Sequence, residues 1–259
     1  MNDQYYMILG PILLIHFFFG VAVLKKNLSV IDTAWGLGFI FMGIIGSALS
    51  HWGIIREVVV LFLVTLWGIR LSLFIHLRNS GKGEDFRYAN WRKDWGKNTN
   101  VIAYFKVYWL QIILMIIVGL PIFAAHASVN PHLSWINILG ITIWFIGLSW
   151  ESIADYQKNK FKSNPANHNK VFQGGVWEFS RHPNYFGEAF LWWGIALVSL
   201  DGQNTWGLIG PAFLTLLLWK VSGVPLVEQR HAGNPEYQAY KARTPVLIPS
   251  FKIMFRKQR

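Results

Sequence analysis

The chemically richest string in the sequence reads Ser-Arg-His-Pro-Asn-Tyr-Phe-Gly-Glu at positions 180–188. Pro183 suits the first turn of a helix, where its missing backbone N–H costs nothing. The free N–H groups of such a helix start, with Arg181 and His182 beside them, would bind an anion at a membrane interface. Asn184 and Glu188 lie one turn apart on one helix face. Tyr185 directly follows Asn184. The string therefore predicts a binding site.

A second pattern lies upstream, where two acids precede two lysines at spacings of 4, 3 and 4: Glu151, Asp155, Lys158 and Lys162. At about 100° per residue these side chains share one narrow stripe of a helix. The stripe runs from acidic at membrane depth to basic in a cytoplasmic extension. It is either a ladder of i, i+4 salt bridges or a groove in which carboxylates meet ribose or amide groups and lysines meet phosphates.

The C-terminal tail carries Arg230 and His231, followed by Tyr237 and Tyr240, which are three residues apart and share a helical face. Such a segment is an amphipathic element on the membrane surface, or it completes the site around the Arg-His-Pro string.

Charged side chains inside apolar segments are costly, so Asp32 and Arg70 are candidate functional groups. They fall in two adjacent predicted helices. They either neutralise each other there or act on a substrate.

The elements that must position these residues are membrane helices. Of 259 residues, 53% are hydrophobic and 14% are charged, whereas soluble domains carry about 25% charged residues. The chain has no cysteine, which excludes disulfides, thiolate metal sites and a cysteine nucleophile; we expect no metal site. No Gly-x-Gly-x-x-Gly string is present, which argues against a Rossmann fold.

Seven apolar segments of about 20 residues predict an all-α, polytopic membrane protein with seven transmembrane helices. The predicted spans cover residues 5–24, 30–49, 57–77, 101–125, 133–156, 184–200 and 206–227. The chain reads as one transmembrane domain over 1–259, with substrate-side helices in about 1–125 and the cofactor-binding helices and tail in about 133–259.

Placing the N-terminus outside puts 22 of the 24 Lys and Arg residues on the cytoplasmic side, together with the C-terminus. The positive-inside rule therefore predicts this orientation. The net charge of +11 arises beside apolar spans, which points to membrane lipids or an anionic cofactor as partners and not to nucleic acid.

These motifs resemble a known family. Gly-Gly-Val-Trp at 174–177, the string at 180–188 and a Tyr…Ile-Pro ending at 240–249 are similar to the steroid 5-alpha-reductase family, in particular its bacterial branch. Sterol reductases and isoprenylcysteine carboxyl methyltransferases carry a similar Arg-His-Pro-x-Tyr string. The resemblance is strongest from about residue 150 onward and rests on helix number before that.

The resemblance implies a seven-helix protein of the bacterial inner membrane that binds NADPH from the cytoplasmic side. It implies cofactor contacts by Asn184, Tyr185 and Glu188, and by an acid and two basic residues of the fifth helix. It also implies contacts by the basic and aromatic side chains of the string and the tail. These further cofactor residues are Asp155, Lys158, Lys162, Arg181, His182, Arg230, His231, Tyr237 and Tyr240.

One departure affects the substrate side. Animal steroid enzymes carry a Gln-Glu pair in the second helix and a Tyr in the third. Gly38-Phe39 and Trp67 stand at those positions here. Asp32, earlier in the same helix, is the candidate replacement for the carboxylate, and Arg70 is a candidate to polarise a substrate oxygen.

The resulting prediction is an NADPH-dependent reductase that transfers hydride to a C=C bond conjugated to a carbonyl in a lipophilic, steroid-like or isoprenoid substrate. The predicted catalytic residues are Asp32, Arg70 and Glu188. Two alternatives are an S-adenosylmethionine-dependent methyltransferase of the isoprenylcysteine carboxyl methyltransferase type and a lipid-binding or transport protein.

Overall fold

A computed structural model describes residues 3–50 and 54–251. The described residues contain α-, 3-10 and π-helices and no strand, so the all-α prediction is confirmed. The basic residues at positions 252–259, which contribute to the predicted charge asymmetry, lie outside the described part of the chain. The α-helices, numbered in chain order, are α1 Leu9–Lys25, α2 Ile31–Leu49, α3 Ile55–Asn79, α4 Phe86–Trp95, α5 Thr99–Ala103, α6 Leu110–Val118, α7 Leu120–His126, α8 Trp135–Ser163, α9 Pro183–Ser199, α10 Ile209–Leu216, α11 Val224–Arg230 and α12 Pro235–Arg243.

Six helical segments of the described chain are long and apolar enough to cross a membrane. They are Gln4–Lys25, Leu28–Leu49, Ile55–Asn79, Phe86–Val118, Trp135–Ser163 and Thr205–Arg230. The sixth predicted span corresponds to α9, which has 17 residues. The count of seven and the orientation stay predictions.

The fourth segment begins earlier than the sequence predicts. Residues 78–100 are too charged to lie in lipid, yet α4 occupies Phe86–Trp95 and the helix continues through a π-helical stretch, Tyr104–Trp109, to Val118. The α4 start is capped by the Asp85 carboxylate, which accepts a hydrogen bond from the Arg87 N–H at 3.0 Å. A polar sequence is therefore compatible with a helix outside the hydrocarbon core.

The chain divides into two compact units, residues 1–138 with 195–210 and residues 139–194 with 211–259. In the first, α2 packs against α1 and α3. The backbones of α2 and α3 are so close at Gly36 that a Cβ there would lie 2.3 Å from the Gly68 carbonyl oxygen. Small residues allow this approach between membrane helices.

In the second unit α8 and α9 meet in the same way. A Cβ at Gly147 would lie 2.6 Å from the Leu191 backbone nitrogen, and one at Gly187 would lie 2.6 Å from the Glu151 nitrogen. The 29 residues of α8 span about 44 Å at 1.5 Å per residue, beyond the roughly 30 Å of a bilayer's hydrocarbon core. Its C-terminal turns, which carry three lysines, therefore project past the apolar core beside the start of α9.

Candidate functional site

The candidate site is built around the loop that leads into α9. A 3-10 helix, Gly175–Glu178, precedes it. Gly175 has a φ of +60°, a left-handed conformation that favours glycine, and it lies against the end of the Gln157 side chain. The Trp177 indole N–H donates to the Ala154 carbonyl at 3.0 Å. These contacts fix the loop against α8, and Pro183 opens α9 as the sequence predicts.

Arg181 is buried and is bound on every side of its guanidinium group. Its Nε and Nη2 donate to one Glu228 carboxylate oxygen at 3.0 and 2.6 Å. Its Nη1 donates to the backbone carbonyls of Lys241 and Thr244 at 3.0 and 2.5 Å. Lys241 Nζ contacts the second Glu228 oxygen at 2.6 Å. Arg181 therefore joins the start of α9 to α11 and to the end of α12.

The tail after α12 lies along the same loop. The Arg181 N–H donates to the Pro245 carbonyl at 2.8 Å, and the Ser250 N–H donates to the Phe179 carbonyl at 3.0 Å. The Ser180 hydroxyl lies 2.8 Å from the Leu247 carbonyl oxygen. The buried Tyr240 hydroxyl donates to the Trp177 carbonyl at 2.5 Å and lies 3.1 Å from the Ser180 carbonyl oxygen. The tail residues that sequence reasoning places beside the string do lie against it.

His182 is buried at 2% exposure and its ring stacks on Tyr185, with centroids 5.4 Å apart and planes 2° from parallel. Burial lowers the pKa of His182 to about 3; the positive charge of Lys158 acts in the same direction, and Glu228, 3.7 Å away, opposes it. The imidazole is therefore neutral near pH 7.

A small basic cavity of about 70 Å³ lies among α8, α11, α12 and the segment before α9. Its cationic lining residues are Lys158, Lys162, Lys170 and Arg181, and its other lining residues include His231, Tyr237 and Tyr240. The volume exceeds the roughly 10–15 Å³ that a cavity needs to hold one water, and it is too small for a whole dinucleotide. The cationic lining favours an anion.

Two contacts describe the walls of this cavity. Lys158 Nζ lies 4.1 Å from the centre of the Trp177 ring, a cation–π distance. His231 stacks on Tyr237 with ring centroids 4.8 Å apart. Burial lowers the pKa of His231, and the positive charges of Lys158, Arg230 and Lys162 lower it further. The lowered pKa of His231 therefore indicates that positive charge is concentrated around the basic cavity.

The stripe predicted on the fifth span lies on one continuous helix, α8. Glu151 and Asp155 are buried, at 2% and 9% exposure, whereas Lys158 and Lys162 line the basic cavity. The order from buried acid to accessible base is the one that the spacing predicts. Asn184, Tyr185 and Glu188 occupy the first two turns of α9 and are partly buried.

Asp32 and Arg70 lie in the first unit, whereas the predicted cofactor residues all lie in the second. The ion-pair partner found for Asp32 is Arg87, whose Nη2 donates to it at 3.0 Å. The Tyr88 hydroxyl donates to the other Asp32 oxygen at 2.7 Å. The Asp32 carboxylate thus anchors the first turn of α4, and its catalytic role stays a prediction.

Sequence reasoning missed two residues of the site. Glu228 holds Arg181 and Lys241, and Lys170 lines the basic cavity. The only sequence signal for Glu228 is its place before Arg230 and His231 in the tail, and Lys170 lies in a loop with no periodic pattern.

Comparisons with known proteins identify related sequences. The family described as "Protein of unknown function (DUF1295)" matches residues 18–244. A probable O-methyltransferase, ustE, of Ustilaginoidea virens is 30% identical over 102 residues, which are 39% of this chain and 33% of that protein. The uncharacterized protein C594.04c of Schizosaccharomyces pombe is 26% identical over 216 residues, 71% of this chain and 60% of that protein. The chain thus matches from a third to about 60% of the length of these curated relatives. No solved structure matches.

Proposed function

This chain belongs to the DUF1295 family, within the steroid 5-alpha-reductase-like and methyltransferase membrane superfamily, and from that premise we propose that it is an NADPH-dependent membrane reductase. Its reaction is the reduction of a C=C bond conjugated to a carbonyl in a lipophilic substrate. We further propose that the protein crosses the membrane seven times, with its N-terminus outside and its C-terminus in the cytoplasm. The membrane we propose is the bacterial inner membrane. The family and its helices support a membrane enzyme in general, and the site supports the choice of cofactor.

The observation that carries the proposal is the basic cavity. Three lysines, Lys158, Lys162 and Lys170, line it together with Arg181. NADPH is a polyanion because of its phosphates, whereas S-adenosylmethionine carries a sulfonium cation that such a lining would repel. The cavity volume of about 70 Å³ suits a phosphate group. The residues present therefore fit the phosphate end of the dinucleotide.

The side chains around the basic cavity have two proposed roles: some bind the phosphate, and others hold the cavity wall in place. The three lysines would bind phosphate as point charges. Arg181 already holds Glu228 and two tail carbonyls, so we assign it the role of positioning the cavity wall. Tyr237 and Tyr240 would support that wall, because both are buried and line the cavity.

The acidic and amide side chains of α8 and α9 would orient the rest of the cofactor. Asp155, Asn184 and Glu188 would meet its ribose and amide groups. When bound, NADPH supplies the hydride that is added to the β-carbon of the substrate. Arg70 is the candidate for stabilising negative charge on the substrate oxygen, and Asp32 is the candidate carboxylic acid of the predicted catalytic set.

The proposal is tested by calorimetry on protein purified in detergent. We expect NADPH to bind with a micromolar or tighter Kd, and Lys158→Gln, Lys162→Gln and Glu188→Gln each to weaken binding by about tenfold, or roughly 1.4 kcal/mol. Lys160→Gln is the matched control, because Lys160 is on the same helix but lies against Tyr156, with Nζ 5.8 Å from that ring centre. Its affinity should equal that of the wild type.

The alternative is an S-adenosylmethionine-dependent methyltransferase, which is favoured by the local similarity to the probable O-methyltransferase. The same calorimetry separates the two. Binding heat with S-adenosylmethionine and none with NADPH would replace the reductase proposal by the methyltransferase.

A further inference from the structure

A second, larger cavity lies in the same unit and has a different character. Its volume is about 440 Å³, within the range of roughly 300–1,000 Å³ that is typical of small-molecule sites. It is bounded by α9, by α10 with the following π-helical turn Leu217–Val221, and by tail residues 245–248. Four of its lining side chains are aromatic: Phe186, Phe190, Trp193 and Trp219.

Two polar side chains of this wall, Trp193 and Thr215, are hydrogen-bonded to each other. The Trp193 indole N–H donates to the Thr215 hydroxyl oxygen at 3.2 Å, and that hydroxyl donates to the Pro211 carbonyl at 2.7 Å. Phe186 and Phe190 stack with their ring centroids 5.3 Å apart. A polar group of a ligand placed among these side chains would lose its hydrogen bonds to water without replacement. The cavity therefore selects for hydrocarbon.

The tail turns its backbone polar groups away from the cavity. The Pro245 carbonyl accepts from the Arg181 N–H at 2.8 Å. The carbonyl oxygens of Val246 and Leu247 lie 3.3 and 2.8 Å from the Ser180 hydroxyl. The apolar side chains of the tail are then left to line the cavity.

One residue, Arg181, contacts the walls of both the apolar cavity and the basic cavity. Arg181 lines the basic cavity, and it binds the carbonyl of Thr244 and that of Pro245 at the edge of the apolar one. Phe186, which lines the apolar cavity, lies on the face of α9 opposite to that of Asn184 and Glu188, so the first turns of this helix separate the apolar cavity from the predicted cofactor residues. The shared contact through Arg181 argues for the substrate as the occupant, in preference to bulk membrane lipid.

We propose that the apolar cavity receives the hydrocarbon chain of the substrate, an acyl or prenyl chain that enters from the bilayer and leaves its reactive carbonyl outside the cavity. The inference rests on the proposed reductase function and narrows its substrate class. An amphiphile with oxygen at one end fits such a cavity. A rigid molecule with oxygen at both ends would bury one polar group without a partner.

The test uses palmitic acid with a diazirine near its methyl end as the photoreactive probe, on protein in lipid nanodiscs. We expect peptide mass spectrometry to find the label on α9 and on residues 215–219. Ala189→Trp fills the cavity, because Ala189 lines it and is 5% exposed. Labelling should fall about tenfold in this variant, which corresponds to roughly 1.4 kcal/mol of binding free energy.

Leu216→Trp is the control, because Leu216 is 51% exposed on α10 and is not part of the cavity wall; its labelling should equal the wild-type level. Ala189→Leu replaces Ala189→Trp if the larger side chain prevents folding. Labelling that is unchanged when Ala189 is enlarged overturns the proposal. In a parallel experiment on detergent-solubilised protein, displacement of the probe by added phosphatidylcholine also overturns the proposal, because the cavity would then hold a membrane lipid.

NADPH calorimetry on the same samples separates the two hypotheses. Probe binding without NADPH binding leaves the chain site standing and removes the reductase assignment. NADPH binding with diffuse, Ala189-independent labelling does the reverse.

Discussion

Arg181 grips Glu228 with two hydrogen bonds to a single carboxylate oxygen, at 3.0 Å from Nε and 2.6 Å from Nη2. The Arg181 side chain is 6% exposed and that of Glu228 is 15% exposed. Lys241 Nζ binds the other oxygen of Glu228 at 2.6 Å. The Glu228 carboxylate thus binds two cations from separate segments. These three residues, Arg181, Glu228 and Lys241, form a charged node that holds the wall shared by the two cavities.

Removing one member of this node should destabilise the protein. Arg181→Ala leaves a largely buried carboxylate with one partner fewer and frees two tail carbonyls, so we expect a loss of about 3 kcal/mol in the free energy of unfolding. Thermal unfolding in detergent measures it. Arg243→Ala, at an exposed position of α12, should change the midpoint little. A wild-type midpoint in Arg181→Ala would mean that the node does not hold the tail.

The stability of the second unit should depend on pH through His182. Burial lowers the pKa of this imidazole to about 3, whereas an unfolded histidine takes up a proton near pH 6.5. Between these values the unfolded chain binds one more proton, so acidification below pH 6.5 favours unfolding by about 1.4 kcal/mol per pH unit. Above pH 6.5 His182 makes no contribution to the slope.

His182→Asn should therefore reduce the pH dependence of unfolding between pH 6.5 and 4, measured by thermal unfolding in buffers of matched ionic strength. His168→Asn is the control, because His168 is exposed. Equal slopes for the wild type and His182→Asn would contradict a buried neutral imidazole.

The contact between α8 and α9 should not tolerate a single added methyl group. A Cβ at Gly147 would lie 2.6 Å from the Leu191 nitrogen and 2.8 Å from the Gly187 carbonyl oxygen, so the two helices must separate in Gly147→Ala. We expect a loss of about 1–3 kcal/mol, as for other overpacked interiors, and weaker NADPH binding because Asp155 and Glu188 move apart. Gly20→Ala is the matched control, since a Cβ there meets nothing within 4 Å.

The salt bridge of Asp32 should hold the start of α4 in place. Arg87 Nη2 and the Tyr88 hydroxyl bind its two oxygens at 3.0 and 2.7 Å. We expect Arg87→Ala to expose the α4 segment and to speed trypsin cleavage at Arg92 and Lys93 several-fold, because local opening becomes less costly. The test is limited proteolysis with mass spectrometry. Lys25→Ala, at an exposed residue at the end of α1, should leave the cleavage rate unchanged.

Local sequence determined most of the helices. The apolar segments that begin near residues 5, 30, 57, 133 and 206 are helical in the structure, because a run of about 20 apolar residues has few alternatives in a bilayer. Pro183 fixed the start of α9 in the same way, through a single backbone property. The sequence did not predict that the fourth helical segment begins at α4. The sequence of α4 is polar, and its N-terminal cap, Asp85, is a weak signal alone.

Tertiary structure decided the partners of the charged groups. Glu228 meets Arg181 across 47 residues and Arg87 meets Asp32 across 55. The sequence puts Arg181 in a plausible anion site but says nothing of Glu228, because a side-chain pair between distant segments depends on how the helices pack. The sequence by itself determined a helical membrane protein with a basic, aromatic C-terminal half. Only the fold decided which cations hold the tail and which line a cavity.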